Sequence, residues 1–160
     1  MSVLTDTYKD RVDDMLIHSF DELEEKHDFI QWVFPTKTVS QYNDDAPVLT
    51  DEDIEYFKEH LIPTVRVAFN RMLAFYGLVT KNGYIVFDNT AVGSYNWFQT
   101  KPYRDHNMLR ITRILECLNL LGLRDEAEMF YDCLSIIAPH CDSQTRNSHK
   151  YWSEVMDRFN

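Results

Sequence analysis

Residues 106–123, HNMLRITRILECLNLLGL, constrain this chain more than any other stretch. Met108, Ile111, Ile114, Leu115 and Leu118 recur at the spacing of one helix face, and Gly122 follows as a stop. At about 100° of rotation per residue, His106, Arg110 and Arg113 fall within roughly a 60° sector of that helix. Leu109 and Leu120 lie beyond this basic stripe, so the helix is apolar on both of its flanks. A helix facing solvent shows a wide charged face, and this one is therefore expected to be surrounded by protein. A guanidinium withdrawn from water needs carboxylates, backbone carbonyls or a ligand to meet it. Two uses of the stripe are open: an internal ion pair or snorkelling side chains, and a site for an anion or peptide.

The rest of the chain reads as further helices. Residues 3–18 carry Val12, Leu16 and Ile17 at helical spacing. In SFDELEEKHDFIQWVFP, Leu23, Phe29, Ile30, Val33 and Phe34 line one broad face before Pro35 ends the helix. Continued from Leu23, the wheel sets His27 and Gln31 at the border of that face, with Asp28 and Trp32 further toward the polar side. Residues 36–49 read as a loop, with Asn43, Asp44, Asp45 and Pro47 as turn formers. Thr50 then caps a helix with three acids in its first turn. After Pro63, a helix with Val65, Ala68, Phe69, Met72, Phe75 and Tyr76 on one face runs to Gly77. LVTKNGYIVF predicts a hairpin turning at Asn82-Gly83. RDEAEMFYDCLSIIA is a helix ended by Pro139, and a last helix is expected over about 149–159. The fold class is mainly α: a single-domain bundle over residues 1–160, of about six helices, with a small β-hairpin near 78–88.

A formal net charge of −10 disfavours direct nucleic-acid binding, because an acidic field repels phosphates. It also admits an acidic inhibitor that mimics nucleic acid and occupies a basic partner protein. Three cysteines, the lack of an apolar leader and the lack of a membrane-length apolar run make the reducing cytoplasm the expected compartment.

Motifs for standard chemistry are missing: no GxxxxGK[ST], GxGxxG or GxSxG occurs. His140, Cys141 and His149 lack the spacing of a metal site, so no metal and no cofactor is expected. Cys117 lies within the basic stripe, where an arginine could lower its pKa; the plainer reading is a buried structural thiol. Asp28 is a candidate partner for a stripe arginine, and Trp32 could stack on a guanidinium or be an ordinary boundary aromatic.

HDFIQWVFP (residues 27–35) and HNMLRITRILECLNLLGL resemble, in order, two signatures of the opioid growth factor receptor conserved domain. DAPVLTDEDIEYFK and RMLAFYGL resemble its connecting helices, and Tyr151-Trp152 a late aromatic element. The resemblance covers about residues 20–155; segment 80–105 departs most from the pattern, with Trp97 as a further match. It implies a mostly helical domain, found in the animal receptor named for binding met-enkephalin and in stand-alone microbial proteins, of which this chain resembles the second kind. The animal receptor's C-terminal repeats, nuclear association and growth inhibition are not expected to transfer, and no catalytic residue set does.

The leading expectation is a binding module in which His27, Asp28, Gln31, Trp32, His106, Asn107, Arg110 and Arg113 line one polar patch between two helices. Its ligand would be a peptide, a small anionic molecule or a partner protein, with arginines clamping a carboxylate and Asp28 taking an amine. The second reading is an enzyme on a small anionic substrate, with a histidine as general acid or base and the arginines stabilising negative charge.

Overall fold

The computed structural model describes residues 2–39, 45–90, 95–101 and 104–160, so Asn43 and Asp44 of the expected loop lie outside the described residues. Its elements are α1 (Val3–Ile17), α2 (Phe20–Glu25), α3 (Ile30–Val33), α4 (Asp51–His60), α5 (Ile62–Phe75), β1 (Leu78–Lys81), β2 (Tyr84–Phe87), α6 (Asn107–Leu120), α7 (Arg124–Ile137) and α8 (Ser143–Arg158). A single 3-10 turn, Ala138–His140, separates α7 from α8 where Pro139 forbids a continuous helix.

Helix α1 buries Leu4, Tyr8, Val12 and Met15, a stripe at steps of four, four and three residues. Leu16 and Ile17, expected on the apolar face, are exposed; Ile17 ends the helix and points away from the stripe. Thr50 caps α4 through a capping box with Asp53, whose carboxylate also accepts from Ser2 Oγ at 2.7 Å. Pro63 sits in the first turn of α5, where a missing N–H costs nothing, and the apolar face named above is buried there. The hairpin pairs Leu78 with Phe87 and Lys81 with Tyr84, and Asn82 and Gly83 both take positive φ, as a two-residue primed turn demands. Helix α8 begins at Ser143, earlier than expected, because Asp142 accepts from the Thr145 amide and caps it.

Two groups of helices meet over one core. Helices α1, α3, α4 and α5 pack together on one side, and α6, α7 and α8 on the other. Phe69 and Phe130 join them with ring centroids 5.6 Å apart, and Trp97 donates its indole N–H to the Tyr76 carbonyl at 2.8 Å. Met108, Ile111, Ile114, Leu115 and Leu118 of α6 are all buried.

Residues 19–34 do not form one helix. A Ser19/Glu22 capping box starts α2, Lys26 leaves it in extended conformation, and α3 restarts after Phe29. Tyr8 holds α3 in place by donating its buried hydroxyl to the Val33 carbonyl at 2.7 Å. That carbonyl belongs to a helix end and has no helical partner of its own.

All three cysteines are buried and unpaired. Burial pushes the Cys117 thiol well up despite Arg113 beside it, and raises Cys133 to about 11. Cys117 is therefore the inert structural thiol of the two readings. Iodoacetamide at neutral pH should alkylate none of the three in the folded protein on the timescale in which denaturant exposes them all, as followed by intact mass. Tyr8→Phe should lower stability by about 1–3 kcal/mol in urea unfolding, because it strands the Val33 carbonyl while leaving the ring packing intact.

Candidate functional site

Beside α6 lies a groove of about 690 Å³ whose walls come from residues between 27 and 39, from α6 with Arg104 and His106 just before it, and from Arg158 at the end of α8. Five of the eight expected site residues line it: His27, Gln31, His106, Arg110 and Arg113. Leu109, expected to be covered, is exposed and forms part of the groove wall with Ile30 and Val39. One flank of α6 thus borders an opening instead of protein.

The other three expected residues are elsewhere. Trp32 faces away and stacks on Arg11, whose guanidinium carbon is 3.5 Å from the ring centroid. Asp28 is exposed and lines, with Trp32 and Arg11, a separate hollow of about 140 Å³. Neither meets the stripe arginines, because the break after α2 rotates them off the face that a continuous helix would have given. Asn107 is fully buried beneath the groove; its amide N–H₂ donates to Glu24 Oε2 at 2.8 Å and its Oδ1 accepts from Arg110 and Tyr76, each at 3.4 Å.

Backbone carbonyls at the ends of two short helices take the place foreseen for Asp28. Arg110, only 4% exposed, donates to the Lys26 carbonyl and lies over the Phe29 ring at 5.1 Å. Arg113 donates to the Phe34 carbonyl at 3.3 Å. Both carbonyls are free because α2 and α3 terminate there, and helix C-termini carry partial negative charge. Burial lowers the pKa of both guanidiniums, which nevertheless stay charged. Among the described residues neither forms an ion pair with a carboxylate.

The groove is consequently basic. Arg104, Arg110, Arg113 and Arg158 line it against one carboxylate, Glu116, which stands 3.8 Å from Arg158. Gln31, 8% exposed, contributes an Oε1 with no hydrogen-bond donor, an unpaired acceptor in the wall. Thr36, Thr38 and Thr112 add hydroxyls, and Ile30, Val39 and Leu109 apolar surface. Such a lining can hold a carboxylate or phosphate at one place and an apolar body at another.

At the groove's edge the rings of His27 and His106 meet edge to face, 4.7 Å between centroids. Burial and the charge of Arg110 lower the His106 pKa, with Glu24 and Asp105 opposing. Its Nε2 is 3.6 Å from Glu24 Oε1 and makes no hydrogen bond. Asp105 accepts from the Asn107 amide at 2.8 Å and from the Tyr95 hydroxyl.

Glu24, Arg104 and Arg158 carry no local sequence signal for the site. Asp105 adjoins His106 and was visible as a neighbour, whereas Glu24 and Arg158 reach the site only through the packing of α2 and α8. His140, Cys141 and His149 do not converge: His140 is exposed, Cys141 donates to the Ile137 carbonyl, and His149 Nε2 is 2.8 Å from Ser135 Oγ.

The profile described as the opioid growth factor receptor (OGFr) conserved region matches residues 4–138. The opioid growth factor receptor of Homo sapiens is 37% identical over 107 residues, covering 66% of this chain and 16% of its own length. Opioid growth factor receptor-like protein 1 of Rattus norvegicus is 38% identical over 107 residues, covering 64% of this chain and 22% of its own. The like-named protein of Mus musculus is 39% identical over 110 residues, with the same two coverages, 64% and 22%. The chain spans less than a quarter of the length of these relatives. No solved structure matches it. With most of its length, α6 with Arg110 and Arg113 included, inside the matched region, the chain belongs to the opioid growth factor receptor conserved-region family.

Proposed function

We propose that this chain is a binding module whose basic groove takes a peptide or a small anionic ligand, with Arg113 and Arg110 as the anion-binding centre. One observation carries this reading: four arginines against one glutamate line the opening in a chain of net charge −10, and the two most buried have dipoles, not carboxylates, as partners. A carbonyl dipole satisfies an N–H without cancelling the cation, so the field in the groove stays positive. The several donors of Arg113 beyond its single bond to Phe34 are the natural grip for a carboxylate.

The mixture of arginines, hydroxyls, Gln31 and an apolar wall suits a short peptide with a free carboxyl end. His27 and His106 border the bound ligand in this reading. The relatives' printed name, receptor, accords with binding, although it describes much longer proteins. A continuous buried core from Leu4 to Met156 supports one domain, and three buried unpaired thiols support a reducing compartment, which we take to be the cytoplasm.

Labelled met-enkephalin, titrated by fluorescence anisotropy, tests the peptide form. Arg113→Ala should weaken binding about ten- to a hundredfold, the worth of charge-assisted hydrogen bonds at about 1.5–3 kcal/mol. Amidating the peptide's carboxyl end should cost wild type a similar factor and the variant almost nothing. Equal binding of acid and amide forms, or an unchanged affinity in Arg113→Ala, would rule the clamp out; no binding of the peptide, with saturable binding of pyrophosphate, would leave the small-anion form alone standing.

A further inference from the structure

We propose that Glu24, Asp105 and His106 form a site for a divalent transition-metal ion of the zinc type at the edge of the groove. Among the described residues these side chains make the one group in which three histidine, cysteine or carboxylate donor atoms converge, all within 4.8 Å of one another. Metal–ligand bonds of about 2.0–2.2 Å place the ligands of a tetrahedral ion about 3.4 Å apart. The 3.6 Å from His106 Nε2 to Glu24 Oε1 is already close to that edge and too long for a hydrogen bond.

Three independent features point the same way. The first is the His106 nitrogen, which is buried and has no hydrogen-bond partner although it faces a carboxylate. Leaving such an atom unmatched is costly, and a neutral imidazole nitrogen is the commonest protein ligand for zinc. The second is the outer shell. Asn107 donates its side-chain amide to Glu24 and its backbone N–H to Asp105, and Tyr95 donates its hydroxyl to Asp105. Donors of this kind orient metal-bound carboxylates and leave their remaining lone pairs directed inward. The third is charge: two carboxylates share the neighbourhood of one guanidinium, Arg110, so a divalent cation meets a net negative cluster.

The donor set selects the ion. One imidazole and two carboxylates suit zinc and its first-row neighbours better than calcium, which takes more oxygens, or copper(I), which prefers sulfur. Three protein ligands leave a fourth position for water or another ligand, and His106 is also a wall residue of the groove. The side chains of His106 and Glu24 are 33% and 44% exposed, which gives an ion a route in from solvent. Because the three ligands come from α2 and from the residues before α6, the ion would tie those two segments together. The site stands without the peptide reading, and its test uses the metal alone.

Untagged protein, stripped with a chelator and then titrated with Co²⁺ and with Zn²⁺, provides that test. Wild type should bind one equivalent saturably, with a visible Co²⁺ absorption band of four- or five-coordinate intensity and a zinc-dependent rise in Tm. Glu24→Gln and His106→Gln should each lose at least tenfold in affinity and lose the band. Glu24→Gln keeps an oxygen for Asn107 to donate to, so its fold is preserved, which circular dichroism verifies. His60→Gln and His140→Gln, at exposed histidines, should bind as wild type does. Lack of saturable binding by wild type, or binding undiminished in both Glu24→Gln and His106→Gln, would overturn the proposal, as would loss in the exposed-histidine variants only.

Discussion

Two arginines on a helix otherwise given to the core must find acceptors, and the path of residues 19–39 follows from how they do. Arg110 is almost wholly buried and cannot escape its charge by losing a proton. The Lys26 carbonyl can accept from it because α2 stops at Glu25; in a continuous helix that oxygen would accept from the amide four residues on. The Phe34 carbonyl is open to Arg113 for the same reason, since α3 ends at Val33 and Pro35 has no N–H to extend it. Tyr8 takes another of the open carbonyls, that of Val33. Two side chains from two other helices, Tyr8 of α1 and Arg113 of α6, thus hold a helix of only four residues, which alone has no stability in water.

The kind of acceptor matters as much as its presence. Had Asp28 met Arg110, the pair would be neutral and the groove indifferent to anions. Carbonyl dipoles meet the geometric needs of the guanidiniums and leave their charge in place. The chain's acidity sharpens the contrast, because most of its surface repels anions while this one opening is lined by four arginines.

The same interaction explains where sequence reasoning succeeds and where it stops. The period of α6 is legible because five large apolar residues repeat on one face and a glycine closes it, and both the stripe and its need for acceptors follow from that alone. The hairpin is legible from Asn82-Gly83 for the equally local reason that a primed turn wants positive φ. The break after Glu25 is invisible to periodicity. Leu23, Ile30 and Phe34 keep spacings of seven and eleven residues, which an unbroken helix also satisfies, and no proline or glycine marks the interruption. A helical wheel carried through that break therefore sets Asp28 and Trp32 toward α6, whereas they line the hollow beside Arg11, and His27 and Gln31 reach the groove across the same turn. Leu16 and Ile17 fail differently. They are apolar but follow the last buried step of α1, Met15, and the stripe led by Leu4 and Tyr8 decides which face packs.

What keeps opposite charges apart at the site is a single amide. Arg110, with the arginines around it, lies on one side, and Glu24 and Asp105 on the other, close enough to influence one another's ionisation. Direct contact would collapse them into an ion pair and cancel both fields. Asn107 stands between, accepting from Arg110 with its oxygen and donating to Glu24 with its nitrogen, while its backbone N–H holds Asp105. An amide has both a donor and an acceptor end and no charge, so it satisfies each neighbour without neutralising either. Aspartate at this position would accept from Arg110 but repel Glu24, and leucine would take this partner from both while keeping the backbone N–H that holds Asp105. The sequence position, the first residue of α6, is what lets one side chain do this, because the backbone N–H there has no helical partner and is free for Asp105.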